Sequence, residues 1–314
     1  ADPPEQIIEQ ALAAARAANC DGVIGFGGGS AMDTAKLVAL LLSGQQSLQQ
    51  VYGVGNAKGQ RLPLIQVPTT AGTGSEVTPI AIVTTGETTK MGVVAPQLLP
   101  DVAVLDATLT VGLPAAVTAA TGIDAMVHAI EAYTSKLRKN PYSDMLAREA
   151  LRLLSANIET AVHQGSDLNA RSNMLLGAML AGQAFANAPV AAVHALAYPL
   201  GGIYHIPHGL SNALVLPHVM RFNLPAAEKA YAELAPCILP AGTLVASNAA
   251  ATTINWLAHL SAELGLQTRL RDMNIPEQAI ARLASEAMLQ QRLLVNNPRE
   301  VSEADAVAIY QAAW

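Results

Sequence analysis

The sequence predicts two units of different fold class, an α/β unit with a parallel sheet over residues 1–111 and an all-helical unit over residues 112–314. In the first unit, short apolar runs alternate with helical patterns, as they do in parallel α/β domains. In the second unit, apolar residues recur at helical spacing and no run has the pattern of a strand. Since ligands usually bind in clefts between domains, we expect a site where the two units meet.

The first unit opens with a predicted helix. Pro3 and Pro4 stand at its start, apolar residues come after them at helical spacing, and Gly22 ends it. Strands are predicted at residues 23–26, 62–67, 80–85, 91–94 and 102–105, with a helix at residues 31–42. Because proline cannot donate a ladder hydrogen bond, either the strand at residues 62–67 lies at a sheet edge or Pro63 stands at the start of the strand. Because a parallel-sheet domain usually begins with a strand, we expect strand–helix units of this fold to precede Ala1.

The second unit begins near residues 111–114, where the strand pattern stops. Ala and Leu dominate the rest of the chain, and both favour helix. Helices are predicted at residues 147–158, 173–186, 251–264 and 276–289. We expect this all-helical unit to pack against the first unit along a cleft.

Charge and composition argue against several function classes. The net charge is −6 and no basic stripe is present, so nucleic acid is not an expected partner. No apolar run reaches the ~18–20 residues of a membrane-spanning helix, so no membrane partner is expected. The two cysteines provide neither a disulfide framework nor a Cys-based zinc site. With no secretory signal in view, the expected location is the cytoplasm.

A Gly-rich loop comes after the first predicted strand in "VIGFGGGSAMDTAK". Gly28, Gly29 and Ser30 allow backbone N–H groups to approach a ligand at a helix N-terminus, which suits a pyrophosphate. The loop is not the usual G-x-G-x-x-G fingerprint. The alternative is a tight turn in which Ser30 caps the helix, with Asp33 three residues later.

A second polar loop, "VPTTAGTGSEVTP", also comes directly after a strand. Its hydroxyl groups suit a ribose, an amide or a phosphate, and belong to Thr69, Thr70, Thr73 and Ser75. The alternative is a hydroxyl-rich turn without a ligand.

Candidate metal ligands lie in the second unit. Asp124 and His128 are four residues apart in a helical pattern and so share one face. His194 and His208 lie further along, in "APVAAVHALAYPLGG" and "HIPHGLSNAL". Three imidazoles and one carboxylate suit a first-row divalent ion. The alternative for each histidine is an ordinary hydrogen-bonded core residue.

Four segments together resemble the iron-containing, or group III, alcohol dehydrogenases: "GFGGGSAMDTAK", "PTTAGTGSEVT", "TGIDAMVHAIEAY" and "HALAYPLGGIYHIPHGLSNA". The resemblance covers nearly the whole chain and includes the order and spacing of the segments. It implies an α/β dinucleotide-binding domain followed by a helical metal domain. It implies that the metal ligands are Asp124, His128, His194 and His208. Cofactor contacts are implied for Gly28, Gly29, Ser30, Asp33, Thr69, Thr70, Thr73, Ser75 and Lys90.

The implied activity is reversible hydride transfer between a primary or secondary alcohol and NAD or NADP, with Fe²⁺ as the ion and Zn²⁺ or another divalent metal as alternatives. The resemblance also implies that the substrate is a small alcohol or aldehyde and that the chain assembles as a homodimer or a larger homo-oligomer. The segment that selects NAD or NADP lies upstream in the family. Two alternatives stay open: a zinc enzyme like glycerol dehydrogenase, and a truncated, non-catalytic scaffold.

One position departs from the family. Many members carry a histidine four residues after the third metal ligand, and Tyr198 stands there in this chain. We therefore expect proton transfer to differ from that of the family, with Tyr198 or His205 as the candidate groups.

Overall fold

The computed structural model describes residues 2–86, 89–243 and 248–314. Its strands are β1 (Val23–Gly27), β2 (Gly53–Val54), β3 (Leu64–Pro68), β4 (Ile80–Thr85), β5 (Thr89–Val94) and β6 (Val102–Ala103). Its first helices are α1 (Glu5–Ala17), α2 (Gly29–Ser43) and α3 (Leu48–Val51). The later helices are α4 (Ala115–Thr134), α5 (Pro141–His163), α6 (Leu168–Asn187), α7 (Ala192–Tyr204), α8 (His208–Ile238), α9 (Ala249–Glu263), α10 (Ile280–Met288), α11 (Gln291–Leu294) and α12 (Glu303–Ala313). The predicted order, α/β and then helical, is therefore confirmed.

The strands form two sheets of three. One is parallel with the order β1-β3-β6, and the other has the order β2-β5-β4, in which β4 and β5 run antiparallel. The parallel-sheet prediction is confirmed for the first sheet, whereas the strands predicted at 80–85 and 91–94 belong to the second. Residues 87–88 of the connection between those two strands lie outside the described residues.

Pro63 directly precedes β3, which is the central strand of its sheet. The strand-start alternative is therefore right and the edge alternative is wrong. Proline is tolerated there because its position needs no N–H in the ladder, while its carbonyl accepts from Val23 N at 2.8 Å. The strand predicted at 102–105 is shorter, because only residues 102–103 pair with β3.

Two predicted helix ends are corrected. The first helix ends at Ala17 and not at Gly22, because Asn19 adopts a left-handed conformation (φ 52°). Ser30 does not cap α2: the N-cap is Gly28, with no side-chain cap bond, and Ser30 lies in the first turn. Gly27 makes this tight entry possible, since its φ is 148° and a Cβ there would lie 2.8 Å from that of Ala31.

The helical unit is built around α4, which packs against α5, α6 and α8. Almost every residue of α4 after its first turn is buried, so its polar side chains need partners inside the protein. Within the described residues, no single helix is long and apolar enough to cross a membrane. The bent pair of α6 and α7 passes that test of length and composition, and both helices contribute to the protein core.

Candidate metal centre and cofactor groove

Three helices bring the four candidate metal ligands together. Asp124 and His128 lie one turn apart on α4, while His194 is in the first turn of α7 and His208 begins α8. His205 ends α7 in a left-handed conformation (φ 55°), which turns the chain so that α8 can begin three residues later.

Gly209 explains how α8 comes so close to α4. A Cβ at this position would lie 2.2 Å from the carbonyl oxygen of Ala120. Only a residue without a side chain permits this approach, and the approach carries the neighbouring His208 to Asp124.

The ligand atoms converge on one carboxylate oxygen. The Nε2 atoms of His128, His194 and His208 lie 4.0, 3.8 and 3.6 Å from Asp124 Oδ1. All four candidate donor atoms lie within 4.8 Å of one another. His208 is half-buried whereas the other three residues are buried, so the centre opens on the side of His208.

Burial sets the protonation states of the centre. It lowers the pKa of His128 to about 3 against the attraction of Asp124, and it also lowers the pKa of His208. Burial alone would raise the pKa of Asp124, but the three facing histidines and the Asn212 amide lower it overall. Neutral imidazoles and an ionised carboxylate are the forms that bind a metal.

Asn212 shows that the residues present fit a cation. Its Nδ2 donates to Asp124 Oδ1 at 2.6 Å and lies 3.3 Å from His194 Nε2 and 3.4 Å from His208 Nε2. One amide donor is thus shared by a carboxylate and two rings in a buried pocket, which leaves lone pairs unsatisfied. A divalent ion would satisfy them, and a donor set of three nitrogens and one oxygen suits a first-row metal.

Glu131 is a functional residue that we did not predict. Its Oε2 lies 2.7 Å from His194 Nδ1, and the carboxylate also accepts from the backbone N–H groups of Ala191 and Val193. The ring of His194 therefore donates through Nδ1 and presents its Nε2 lone pair to the centre. The signal available in the sequence was spacing, because Glu131 is seven residues after Asp124 and shares its helix face. Asn212, four residues after His208, was missed in the same way.

The two polar loops meet beside α2. A Cβ on Gly28 would lie 3.5 Å from the Thr70 side chain, and one on Gly29 would lie 2.8 Å from that of Thr73. Thr69 is half-buried just after β3, where its backbone N–H donates to the Gly27 carbonyl. The structure thus gathers the predicted glycines and threonines into one surface.

Two predicted cofactor residues lie inside the protein instead. Asp33 accepts from Ser75 Oγ at 2.6 Å and from Ile82 N at 2.9 Å, and both Asp33 and Ser75 are buried. The fully buried Lys36 donates to Ser75 Oγ at 2.7 Å and to Thr78 Oγ1 at 3.1 Å. Because these carboxylate and hydroxyl groups are already paired, we correct their role from cofactor contact to support of the loops.

A cavity of about 710 Å³ runs from the start of α2 to the end of α7. Ser30, Lys90 and His205 line it, together with apolar side chains of β1 such as Phe26. Lys90 also forms an ion pair with Asp2. The cavity therefore joins the loop surface to the helical unit.

Tyr198 lies near both Lys90, in the wall of this cavity, and the candidate metal ligands. Its ring centroid is 6.1 Å from that of His208, and Lys90 Nζ is 5.5 Å from the Tyr198 ring centroid. Burial raises the pKa of Tyr198 to about 12. His205 is exposed at the end of α7. The structure thus brings Tyr198 to the ligand cluster and His205 to the groove.

Comparison with known proteins places both units in one family. The iron-containing alcohol dehydrogenase family model matches residues 1–107, and the model of the C-terminal part of the Fe-containing alcohol dehydrogenase family matches residues 118–314. Long-chain-alcohol dehydrogenase 1 of Geobacillus thermodenitrificans is 45% identical, and the alignment covers all of this chain and 80% of that protein.

Solved structures of similar proteins support the same family assignment. A crystal structure of 1,3-propanediol oxidoreductase superposes with a TM-score of 0.95 at 38% identity, covering 100% of this chain and 82% of the other. Sulfoacetaldehyde reductase from Bifidobacterium kashiwanohense, in complex with NAD⁺, superposes with a TM-score of 0.88 at 31% identity, covering 99% and 81%. These matches favour the iron-containing branch over a zinc enzyme like glycerol dehydrogenase and over a non-catalytic scaffold. The chain belongs to the iron-containing alcohol dehydrogenase family and is a metal-dependent oxidoreductase that uses a nicotinamide dinucleotide.

Proposed function

We propose that one divalent ion is held by Asp124, His128, His194 and His208, and that the chain uses it to interconvert a primary or secondary alcohol with its aldehyde or ketone. Fe²⁺ is the first candidate for the ion, with Zn²⁺ or another first-row metal as alternatives. The observation that carries the proposal is the convergence of three Nε2 atoms to within 4.0 Å of one buried carboxylate oxygen.

The bound ion would supply Lewis-acid polarisation of the substrate oxygen. The protein prepares that chemistry through its own side chains. Asp124 contributes negative charge, and the burial that keeps His128 and His208 neutral leaves their lone pairs available. Glu131 holds the His194 ring in the required tautomer.

The dinucleotide is assigned to residues 1–111 and the metal to residues 112–314. In this proposal the backbone of Gly28, Gly29 and Ser30, at the N-terminus of α2, binds the pyrophosphate. Hydroxyl groups hold the nicotinamide half, and they belong to Thr69, Thr70 and Thr73. Lys90 contacts the cofactor from the wall of the groove. The hydride carrier in this proposal is NAD or NADP.

Proton transfer is assigned to Tyr198 and His205. With a pKa near 12, the Tyr198 hydroxyl stays protonated at neutral pH and can donate a hydrogen bond toward the centre. His205, exposed at the groove, can exchange a proton with water. Tyr198 thus orients a group at the centre through a hydrogen bond, and His205 exchanges the proton with water.

The working form in this proposal is a homodimer or larger homo-oligomer in the cytoplasm, and its substrate is a small alcohol or aldehyde. Sedimentation of the purified protein tests the assembly. A monomer with full activity would contradict this part alone.

The central experiment compares the wild-type protein with Asp124→Asn and His208→Ala after anaerobic purification and loading with Fe²⁺. Bound metal per chain and NAD(P)H oxidation with a panel of aldehydes are measured together. We expect about one ion per wild-type chain, and loss of both metal and turnover in the variants, with NAD(P)H binding by fluorescence retained. Binding of NAD(P)H by the wild type without any turnover would instead support the scaffold alternative.

A further inference from the structure

A second, smaller cavity of about 230 Å³ lies between the β2-β5-β4 sheet and the corner of α10 and α11. Apolar side chains form much of its wall, including Val54, Ile82, Met91 and Leu289. Its polar wall contains Lys90, Tyr198 and Arg292. Tyr198 connects the cavity to the ligand cluster, because its ring also lies 6.1 Å from the His208 ring. A molecule in this cavity would contact Tyr198, whose ring lies near the candidate ligand His208.

Arg292 reaches the cavity from the helical unit. It lies on α11, and a Cβ at Gly92 of β5 would lie 3.8 Å from its Nη2. It lines the cavity together with Tyr198, and it lowers the pKa of the Tyr198 hydroxyl against the larger effect of burial. The side chain therefore spans from α11 to β5 along the cavity wall.

The two cations of the wall differ in their partners. Lys90 is paired with Asp2, whereas Arg292 forms no ion pair with any carboxylate in residues 2–86, 89–243 and 248–314. Arginine is charged at every physiological pH, and its planar guanidinium matches a carboxylate or another oxyanion. The cavity thus combines apolar walls with one positive charge that no carboxylate of the described residues neutralises.

We propose that Arg292 is a specificity-determining residue, and that the substrates of this chain are short aliphatic aldehydes or alcohols with an anionic group at the far end. The apolar wall would contact the aliphatic chain and Arg292 the terminal oxyanion, while the carbonyl or hydroxyl end faces the metal ligands. This inference rests on the proposed function, because it assumes that the reacting oxygen lies at the Asp124 centre.

The test uses two aldehydes of equal chain length, succinic semialdehyde and butanal, with NADH and the Fe²⁺-loaded protein. We expect wild-type kcat/KM to favour succinic semialdehyde. In Arg292→Gln, kcat/KM for this aldehyde should fall about tenfold, through KM, and that for butanal should change by less than about twofold. The matched control is Arg282→Gln, which removes an exposed guanidinium of α10 outside the cavity and should change neither value.

A binding measurement separates this inference from the proposed function. Succinate should bind the wild-type protein in isothermal titration calorimetry, and binding should be lost in Arg292→Gln. Equal losses with both aldehydes, or a raised KM for NADH alone, would overturn the role of Arg292. If no aldehyde of the panel reacts while succinate still binds through Arg292, the proposed function fails and the anion site stands.

Discussion

Glu131 Oε2 lies 2.7 Å from Nδ1 of His194, on the side of the ring opposite the Nε2 that faces Asp124. The same carboxylate accepts two backbone N–H groups at the start of α7. One buried acid therefore orients a candidate metal ligand and fixes the helix that carries it.

Glu131→Gln should weaken metal binding by about 10- to 100-fold, because the ring loses its charged acceptor and the tautomer is no longer fixed. Competition with a chelator measures the dissociation constant for Zn²⁺ directly, without turnover. Glu149→Gln is the control, since Glu149 is an exposed carboxylate paired with Arg152. Equal metal affinity in wild type and Glu131→Gln would show that Glu131 does not support metal binding.

Gly209→Ala should disturb the metal centre although it removes none of the candidate ligands. A methyl group placed 2.2 Å from the Ala120 carbonyl oxygen must push α8 away from α4, and with it His208. We expect a loss of about 1–3 kcal/mol in unfolding free energy, together with weaker metal binding. Urea unfolding and metal competition provide the two measurements. Gly112→Ala is the control, because no atom would lie within 4 Å of its Cβ.

Lys36→Met should disturb the cofactor loops. The ammonium group of Lys36 is fully buried and donates to Ser75, to Thr78 and to the Ile80 carbonyl, so its removal leaves the Asp33 carboxylate buried without a cation. We expect a loss of about 3–5 kcal/mol in stability and weaker NAD(P)H binding, measured by calorimetry and fluorescence. The exposed Lys58→Met should be neutral. Tighter cofactor binding in Lys36→Met would contradict the support role.

His218 should make the protein less stable in acid. Burial, with a smaller effect of Arg221, lowers its pKa to about 4, below the 6.5 of an ordinary histidine. Between these two values the unfolded chain binds a proton that the folded chain does not, so stability falls as the pH falls from about 6.5 to about 4. His218→Asn should lose less stability than wild type between pH 7 and pH 5 in urea unfolding. His163→Asn, at an exposed position of α5, should behave as wild type.

Local patterns predicted the elements that depend on local forces. The strand, Gly-rich turn and helix at residues 23–43 formed nearly as expected, since apolar periodicity and glycine conformation act within a few residues. The strand β2 was not predicted, because its two residues are defined only by pairing with β5. The prediction that Ser30 caps α2 was wrong, because the helix begins at Gly29 and Gly28 is its N-cap.

Spacing predicted the shared helix face of two candidate ligands, and the resemblance implied the other two, but neither predicted the groups around them. Asp124 and His128 share a helix face by their spacing alone. The sequence pattern assigned Asp33 and Ser75 to cofactor loops, yet both side chains lie inside the protein, where Ser75 contacts the buried Lys36 and Asp33.

By itself, the sequence determined the two units and the donor types of the centre, because helix and strand periodicity and residue chemistry are local properties. Only the tertiary structure decided which groups support those donors. Glu131 meets His194 across 63 positions of the chain, and Asn212 meets Asp124 across 88. The first contact joins α4 to α7 and the second joins α4 to α8, which packs against both of these helices, and no short window of sequence contains that packing.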